Sequence, residues 1–293
     1  MTDASVIATR GLVKEAGGRQ ILKGVDLAAA RGEVVGLLGK NGAGKSTLLD
    51  VLLGFALPSA GDARVFGEPS QNLSAASKAR IGFVPQQDEL MSLMSGAQHL
   101  ALAASFHTQW DHALIERLAR EWEVPLNRRI GTLSGGERQK VATLLALGHR
   151  PELLLMDEPA SGLDPVARRQ FMVTLLEIAA ETNRTILFSS HIVSDIERVA
   201  SHVWILREGE IAWQGELDQL KESTVRLLLR AEAEFAAPLS LPGQLHCELQ
   251  GRTASVVLGD WSAERLPEIE RATASRAELV PLTLEDMFLA VHA

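Results

Sequence analysis

The stretch Gly39-Lys40-Asn41-Gly42-Ala43-Gly44-Lys45-Ser46-Thr47 constrains this chain more than any other part of its sequence. It is preceded by Val34–Leu38, a short apolar run with the length of a buried strand. It is followed by Leu48, Leu49, Val51, Leu52 and Phe55, which recur at helical spacing. A strand, a glycine-rich loop and a helix in direct succession make a phosphate cradle. Glycines let backbone N–H groups curl around phosphate oxygens where side chains would collide. The helix that follows aims its N-terminus at the same anion. Lys45 adds a positive charge for the β- and γ-phosphates, and Ser46 offers a hydroxyl to Mg²⁺. Gly39, Asn41, Gly42, Ala43, Gly44, Lys45, Ser46 and Thr47 are the residues predicted to hold the phosphates.

Beyond the loop, strand and helix patterns alternate as far as about residue 200, which implies an α/β fold with a mainly parallel sheet. Leu153–Met156 and Thr185–Ser189 read as further buried strands. Asp164-Pro165 opens a helix, with an N-cap carboxylate and proline at the first helical position. Met172, Leu175, Leu176 and Ala179 continue that helix. Two regions depart from the alternation. Residues of about 90–150 are helical, with Asp111 opening a helix that carries Leu114, Leu118 and Trp122. The segment before Glu33 is strand-like, and Val203–Leu206 with Ile211–Gln214 form a hairpin around Glu208-Gly209. After about Glu222 the strand candidates are Val225–Arg230, Leu245–Leu249 and Ala254–Leu258, with Pro238, Pro242 and Gly243 between the first two. Ala263–Ala272 reads as a helix, completing a small α+β appendage.

Composition narrows the partners. Of 293 residues, 46% are hydrophobic and 23% charged, the balance of a globular chain. A formal net charge of −8 argues against a basic nucleic-acid binder. The one cysteine, Cys247, excludes an internal disulfide framework and a CxxC zinc site. No apolar run approaches the roughly 18–20 residues that cross a bilayer, and the N-terminal stretch lacks the basic head and apolar core of a signal peptide. The expected location is the cytosol, with any membrane role supplied by a separate chain.

Two more segments carry chemistry. Leu153–Met156 runs into Asp157 and Glu158. Beside a phosphate loop, the first carboxylate can help hold Mg²⁺ through water, and the second can orient or deprotonate an attacking water. Alone, such a strand would read as buried structure with exposed acids at its end. In Leu133-Ser134-Gly135-Gly136-Glu137-Arg138-Gln139, Ser134 and Glu137 match a capping box, and Val141, Leu144, Leu145 and Gly148 continue one helical face. Gly135 and Gly136 expose backbone N–H groups at the helix N-terminus, where a second anion can bind.

LSGGERQ about two dozen residues before LLLMDE, both downstream of GKNGAGKST, resembles the ATP-binding cassette (ABC) family over roughly residues 5–220. The resemblance implies a P-loop NTPase core with N-terminal antiparallel strands and a helical insertion. The implied domains are 1–222, with the insertion at about 88–150, and a C-terminal appendage at 223–293. It also implies an Mg²⁺-dependent ATPase. Gln86, in IGFVPQ, matches the loop glutamine that senses Mg²⁺ and the attacking water, with Gln87 as the competing register. Ser161–Asp164 matches the loop that crosses between paired cassettes. His191, in LFSSH, matches the switch histidine near the γ-phosphate. The implied metal residues are Ser46, Gln86 and Asp157.

One position departs from the family pattern. An aromatic residue usually precedes the first long strand and stacks on adenine, whereas Ala16 stands there in Leu12–Arg19 and the chain has no tyrosine. Stacking then falls to the Arg19 guanidinium or to Val13.

The implied partners are a second copy of the chain, whose Ser134–Gly136 would face this chain's phosphate loop across two ATP molecules, and a separate transmembrane permease. The permease would dock beside Gln86, around Asp88–Met94, and hold the chain at the cytoplasmic face of the membrane. Leu282–Leu289 is similar to a tail of drug- and antibiotic-exporter cassettes, and reads equally as an amphipathic helix completing the appendage. The alternative is a soluble cassette ATPase of DNA repair, chromosome organisation or translation. Against it, the interval from Lys45 to Ser134 is too short for a long coiled coil, and the chain holds one cassette and no zinc module. Lys45→Ala should greatly weaken ATP binding in isothermal titration calorimetry, because it removes the fixed cation from the β/γ-phosphates; unchanged affinity would overturn the assignment of the loop.

Overall fold

The computed structural model describes residues 5–87, 89–235 and 239–292, without the side chains of 181 and 182. Asp88 of the proposed docking segment, Pro238 and the first four residues lie outside the described residues. The chain forms two compact units, Met1–Gln214 and Gly215–Ala293.

In the first unit, β1 (Ser5–Ala16) and β2 (Arg19–Ala30) form a long antiparallel hairpin around Gly17 and Gly18, both at positive φ. Its inward residues, among them Ile7, Leu12, Leu22, Val25 and Leu27, are buried. After β3 (Val34–Leu38) comes α1 (Lys45–Leu52), whose Leu48, Leu49, Val51 and Leu52 pack into the same core. Phe55 does not continue that helix. The chain leaves it at Leu53 and Gly54, and Phe55 is 69% exposed, its ring edge-on to Phe83. Gly54, with φ 75°, breaks the helical repeat before the apolar pattern ends. β4 (Ala60–Val65) and β5 (Glu68–Pro69) complete a four-stranded sheet of order β2-β1-β4-β5.

A short helix α2 (Ala75–Lys78) leads to β6 (Ile81–Val84). Three helices follow: α3 (Gly96–Ser105), α4 (His112–Glu121) and α5 (Gly135–Gly148). Asp111 caps α4 by accepting from the Leu114 amide at 3.0 Å. The side of α4 turned inward carries Ile115, Leu118 and Ala119, while Leu114 is half-buried. Trp122 is buried just past its end, against Phe171.

The remaining elements of this unit are β7 (Leu153–Met156), α6 (Pro165–Thr182), β8 (Thr185–Ser190), α7 (Val193–Val199), β9 (His202–Arg207) and β10 (Glu210–Glu216). They form a six-stranded sheet of order β10-β9-β3-β8-β7-β6, with β9, β3, β8, β7 and β6 parallel. Every residue of β3, β7 and β8 is buried, the continuous apolar signature of strands covered on both faces. The turn between β9 and β10 places Glu208 and Gly209 both at positive φ, as a tight two-residue hairpin turn requires.

Glu152, at the N-terminal end of β7, accepts two bonds from the Arg80 guanidinium, at 2.7 and 3.0 Å, and pairs with Arg31 at 2.7 Å. The Arg80 contact holds its carboxyl below the usual carboxylate range.

The second unit opens with α8 (Leu217–Ser223), followed by β11 (Val225–Ala231), β12 (Gln244–Gln250), β13 (Thr253–Leu258), α9 (Leu266–Thr273), β14 (Ser275–Val280) and α10 (Leu284–Val291). Its antiparallel sheet has the order β12-β13-β11-β14. Leu227, Leu229, Ala254, Val256 and Leu258 form a core with Ile269 of α9. β14 is not evident in the sequence, because Ser275–Val280 alternates weakly and carries Arg276 and Glu278. The stretch Leu282–Leu289 falls on α10, which has a Thr283/Asp286 capping box and buries Leu284, Met287 and Phe288.

A Cβ added at Gly82 would lie 2.5 Å from the Ala146 carbonyl oxygen and 2.9 Å from Pro151. β6 therefore approaches the end of α5 too closely for a methyl group. Gly82→Ala is expected to destabilise the fold by about 1–3 kcal/mol, as over-packing does, measured by chemical denaturation followed by tryptophan fluorescence.

Candidate nucleotide site

The phosphate loop, Asp157, Glu158 and His191 leave the C-terminal ends of three neighbouring parallel strands. In register, Leu38 of β3 pairs with Ser190 of β8, and Phe188 of β8 with Met156 of β7. Ligands of open parallel sheets bind at this edge.

The loop keeps its shape through its glycines and its neighbours. Gly42 and Gly44 have φ of 81° and 110°. A Cβ at Gly44 would meet Leu22 and the Ile21 carbonyl, and one at Gly39 would sit 2.7 Å from the Leu206 carbonyl oxygen. The loop is thus wedged between β2 and β9, and the Gly209 amide donates to the Ala43 carbonyl at 3.1 Å. Ser46 is exposed in the first turn of α1.

Lys45 is 6% exposed and donates to the carbonyls of Gly39 at 2.8 Å and Lys40 at 3.4 Å. Its ammonium lies 3.2 Å from Oε1 of Glu158, itself 7% exposed. Oε2 of Glu158 meets Nδ1 of His191 at 2.5 Å. One carboxylate therefore links the cation of the phosphate loop to the histidine. Glu158 holds φ of 47°, uncommon for a residue other than glycine. Ser189 steadies it: the Ser189 hydroxyl accepts from the Glu158 amide at 2.8 Å and donates to Oδ1 of Asp157 at 2.6 Å.

Asp157 is buried, and the carboxyl of Asp50 on α1 is pushed up by its own burial and then by the charge of Asp157. A cation beside Asp157 would relieve that repulsion. No group of three or more His, Cys, Asp and Glu side chains is arranged to hold a metal ion among the described residues. The Ser46 hydroxyl and the Asp157 carboxylate are hard oxygen donors that suit Mg²⁺, whose other positions would be filled by phosphate oxygens and water.

The other expected residues stand further apart. Gln86 and Gln87 are exposed on the loop after β6. The preceding carbonyl, of Pro85, accepts from buried Gln139 of α5 at 3.2 Å, which ties that loop to the Ser134 helix. Ser134 caps α5 reciprocally with Glu137. The Ser134 amide holds the Glu137 carboxyl below its usual range. A Cβ on Gly136 would lie 2.7 Å from the Gly162 carbonyl oxygen, so the helix start packs on the Ser161–Asp164 loop. Among the described residues, no hydrogen bond joins Ser134, Gly135 or Gly136 to residues 39–47. Ala16 pairs across the hairpin turn with Arg19, and both are exposed.

Sequence reasoning passed over Ser189, Asp50 and Gln139. No spacing signal marks Ser189, which lies in β8 beside the equally polar Ser190.

A parallel sheet whose switch edge carries a glycine-cradled lysine, two acids and a histidine defines a P-loop nucleoside triphosphatase. Residues 22–161 match the family model described as ABC transporter. The chain is 31% identical over 290 residues to the Nod factor export ATP-binding protein I of Burkholderia lata, covering 96% of this chain and 94% of that protein. It is 36% identical over 199 residues to the thiamine import ATP-binding protein ThiQ of Salmonella choleraesuis, covering 66% and 84%. A solved ATP-binding subunit of an ABC transporter superposes with a TM-score of 0.65 at 30% identity, covering 74% of this chain and 92% of that one. The chain belongs to the ABC transporter family, among the ATP-hydrolysing ATP-binding proteins that serve membrane transporters. No described helix is long and apolar enough to cross a membrane.

Ser189→Ala would leave the buried Glu158 amide without its partner. A loss of about 1–3 kcal/mol in unfolding free energy is expected, measured by chemical denaturation.

Proposed function

We propose that this chain is the ATP-driven subunit of an exporter, working as a pair of copies on a separate transmembrane permease. The observation that carries the reading is the relay from buried Lys45 through buried Glu158 to the exposed His191. Glu158 supplies negative charge to Lys45. When ATP enters the loop, its phosphates take over Lys45 and release one carboxylate oxygen of Glu158. That oxygen can accept the proton of an attacking water, while His191 fixes the other and faces the γ-phosphate.

Ser46 and Asp157 would hold Mg²⁺, with Gln86 reporting its presence. The ion supplies charge neutralisation for the phosphates. Gly39, Asn41, Gly42, Ala43, Gly44 and Thr47 cradle them through backbone and hydroxyl groups. Arg19, opposite Ala16 on the hairpin, offers a flat cation to the base. Because Ser134, Gly135 and Gly136 make no hydrogen bond to the chain's own loop, a second copy would present them to it, and two-fold pairing completes both sites. The division expected from the sequence is 1–222 and 223–293; the chain divides eight residues earlier, so the working cassette is residues 1–214, with the helical insertion at about 88–150, and the appendage 215–293. The permease docks beside Gln86 and holds the chain at the cytoplasmic face of the membrane.

Export is favoured by the extent of the likeness. The Nod factor export relative matches along nearly the whole chain, whereas the match to the thiamine import relative spans 199 residues.

Glu158→Gln keeps the shape and removes the charge. Phosphate release should fall by about 10²–10⁴-fold, with ATP affinity at least as high as before, since Lys45 no longer has a competing carboxylate. Size-exclusion chromatography in Mg-ATP should show an accumulating dimer. Wild-type turnover would remove Glu158 from the mechanism, and lost turnover without an ATP-dependent dimer would overturn the paired reading.

A further inference from the structure

The loop after Glu158 is anchored by a residue with no role in the chemistry described so far. Arg168 lies one turn into α6, and its Nε and Nη2 both donate to the carbonyl of Ala160, at 3.3 and 3.1 Å. Ala160 is buried, two residues beyond Glu158, and its carbonyl also accepts from the Leu163 amide at 3.2 Å. α6 packs against α7, whose first turn carries Asp195, a buried carboxylate four residues beyond His191. Burial pushes the Asp195 carboxyl up. Among the charges that oppose this, Arg168 acts most strongly, ahead of Arg198 and His191. A small cleft lined by Glu158, Pro159, Ala160, His191, Ile192 and Asp195 separates the two loops.

We propose that Arg168 is a positioning residue for ATP hydrolysis, clasping the Ala160 carbonyl under the attraction of the Asp195 charge on α7, so that the Glu158 loop keeps its place beside the His191 loop across the cleft they share. The inference rests on the reading of Glu158 and His191 given above. Glu158 needs such support on both sides. Its amide is held by Ser189, its φ is positive, and its carbonyl accepts from the Ser161 amide at 3.1 Å, which closes a turn beyond it. Arg168 anchors that turn from α6. The same loop runs on to Gly162, which touches the start of α5. Arg168 therefore fixes the base, the histidine and the Ser134 helix against one another. A displacement of about 1 Å in a catalytic group costs on the order of 10²-fold in rate.

The test uses the full chain and steady-state ATP hydrolysis in Mg-ATP. Arg168→Met should lower kcat at least tenfold, with KM for ATP and equilibrium nucleotide affinity unchanged within twofold. Arg168→Lys, which restores the charge and a donor, should recover part of the loss. In a Glu158→Gln background, Arg168→Met should cost little more, because its effect passes through Glu158. Asp195→Asn leaves Arg168 on Ala160 and removes the opposing charge, so it keeps the test decisive if Arg168→Met folds poorly; a severalfold fall in kcat is expected. Wild-type kcat in both single variants would overturn the proposal, as would equal losses in kcat and nucleotide affinity. Glu158→Gln alone separates the two readings. If it abolishes turnover while Arg168→Met does not, the base assignment stands and the positioning role falls. If it leaves turnover intact, the site reading itself fails.

Discussion

A buried lysine and a buried glutamate hold the two halves of this site together. Lys45 belongs to the loop after β3 and Glu158 to the end of β7, with β8 between them in the sheet. Taking both charges out of water is costly, and replacing such a pair by apolar residues is often neutral or stabilising. The contact is better understood as readiness for a ligand. Carbonyls of Gly39 and Lys40 share the ammonium, and His191 shares the carboxylate, so neither group is left uncompensated. On the proposed reading, an entering triphosphate exchanges one anion for another at Lys45.

The sheet divides labour between its two edges. The C-terminal edge of β3, β8 and β7 carries the cradle, the acids and the histidine. The N-terminal edge carries the Glu152 cluster, where Arg31 and Arg80 meet one carboxylate. These pairs are partly exposed and contribute modestly to stability. They join the segment before β3, the segment before β6 and the start of β7, and so help to set the strand ends against one another. Small residues allow the close approaches that this requires, as at Gly82 and Gly136.

Much of this was legible because the chemistry demands particular residues at particular places. The phosphate loop, the Asp157-Glu158 strand and the Ser134/Glu137 box each occur where local structure and function coincide. What escaped was set by three-dimensional context. Phe55 fits a helical repeat, but Gly54 turns the chain before it. The weak alternation of Ser275–Val280 becomes a strand by pairing with β11. Ser189, Asp50 and Gln139 act only through neighbours that arrive from distant sequence, and nothing in the spacing of residues announces those encounters. Arg168 belongs to the same class: its partners lie eight residues before it and beyond β8.

On the proposed reading, the start of α5 is an anion site unlike the phosphate loop. Its capping box uses the Glu137 amide and the Ser134 amide, closing those donors within the helix. Gly135 and Gly136 follow at the end of the helix dipole; Gly135 is exposed and lacks a side chain, so an anion can approach its amide, whereas Gly136 is buried against Gly162. Gly162 packs behind Gly136 and fixes the direction in which this end points. No hydrogen bond brings it to the chain's own cradle among the described residues. On the proposed reading, a cradle and a donor end that do not meet in one chain each await the complement carried by another copy, and an isologous pair satisfies both at once. ATP then becomes part of the interface, and hydrolysis followed by departure of the γ-phosphate as inorganic phosphate removes charge that held the two surfaces together. On the same reading, the backbone from Glu158 to Gly162 joins the proposed water-activating carboxylate to that donor end, so the chemistry and the opening of the pair would act on one short segment.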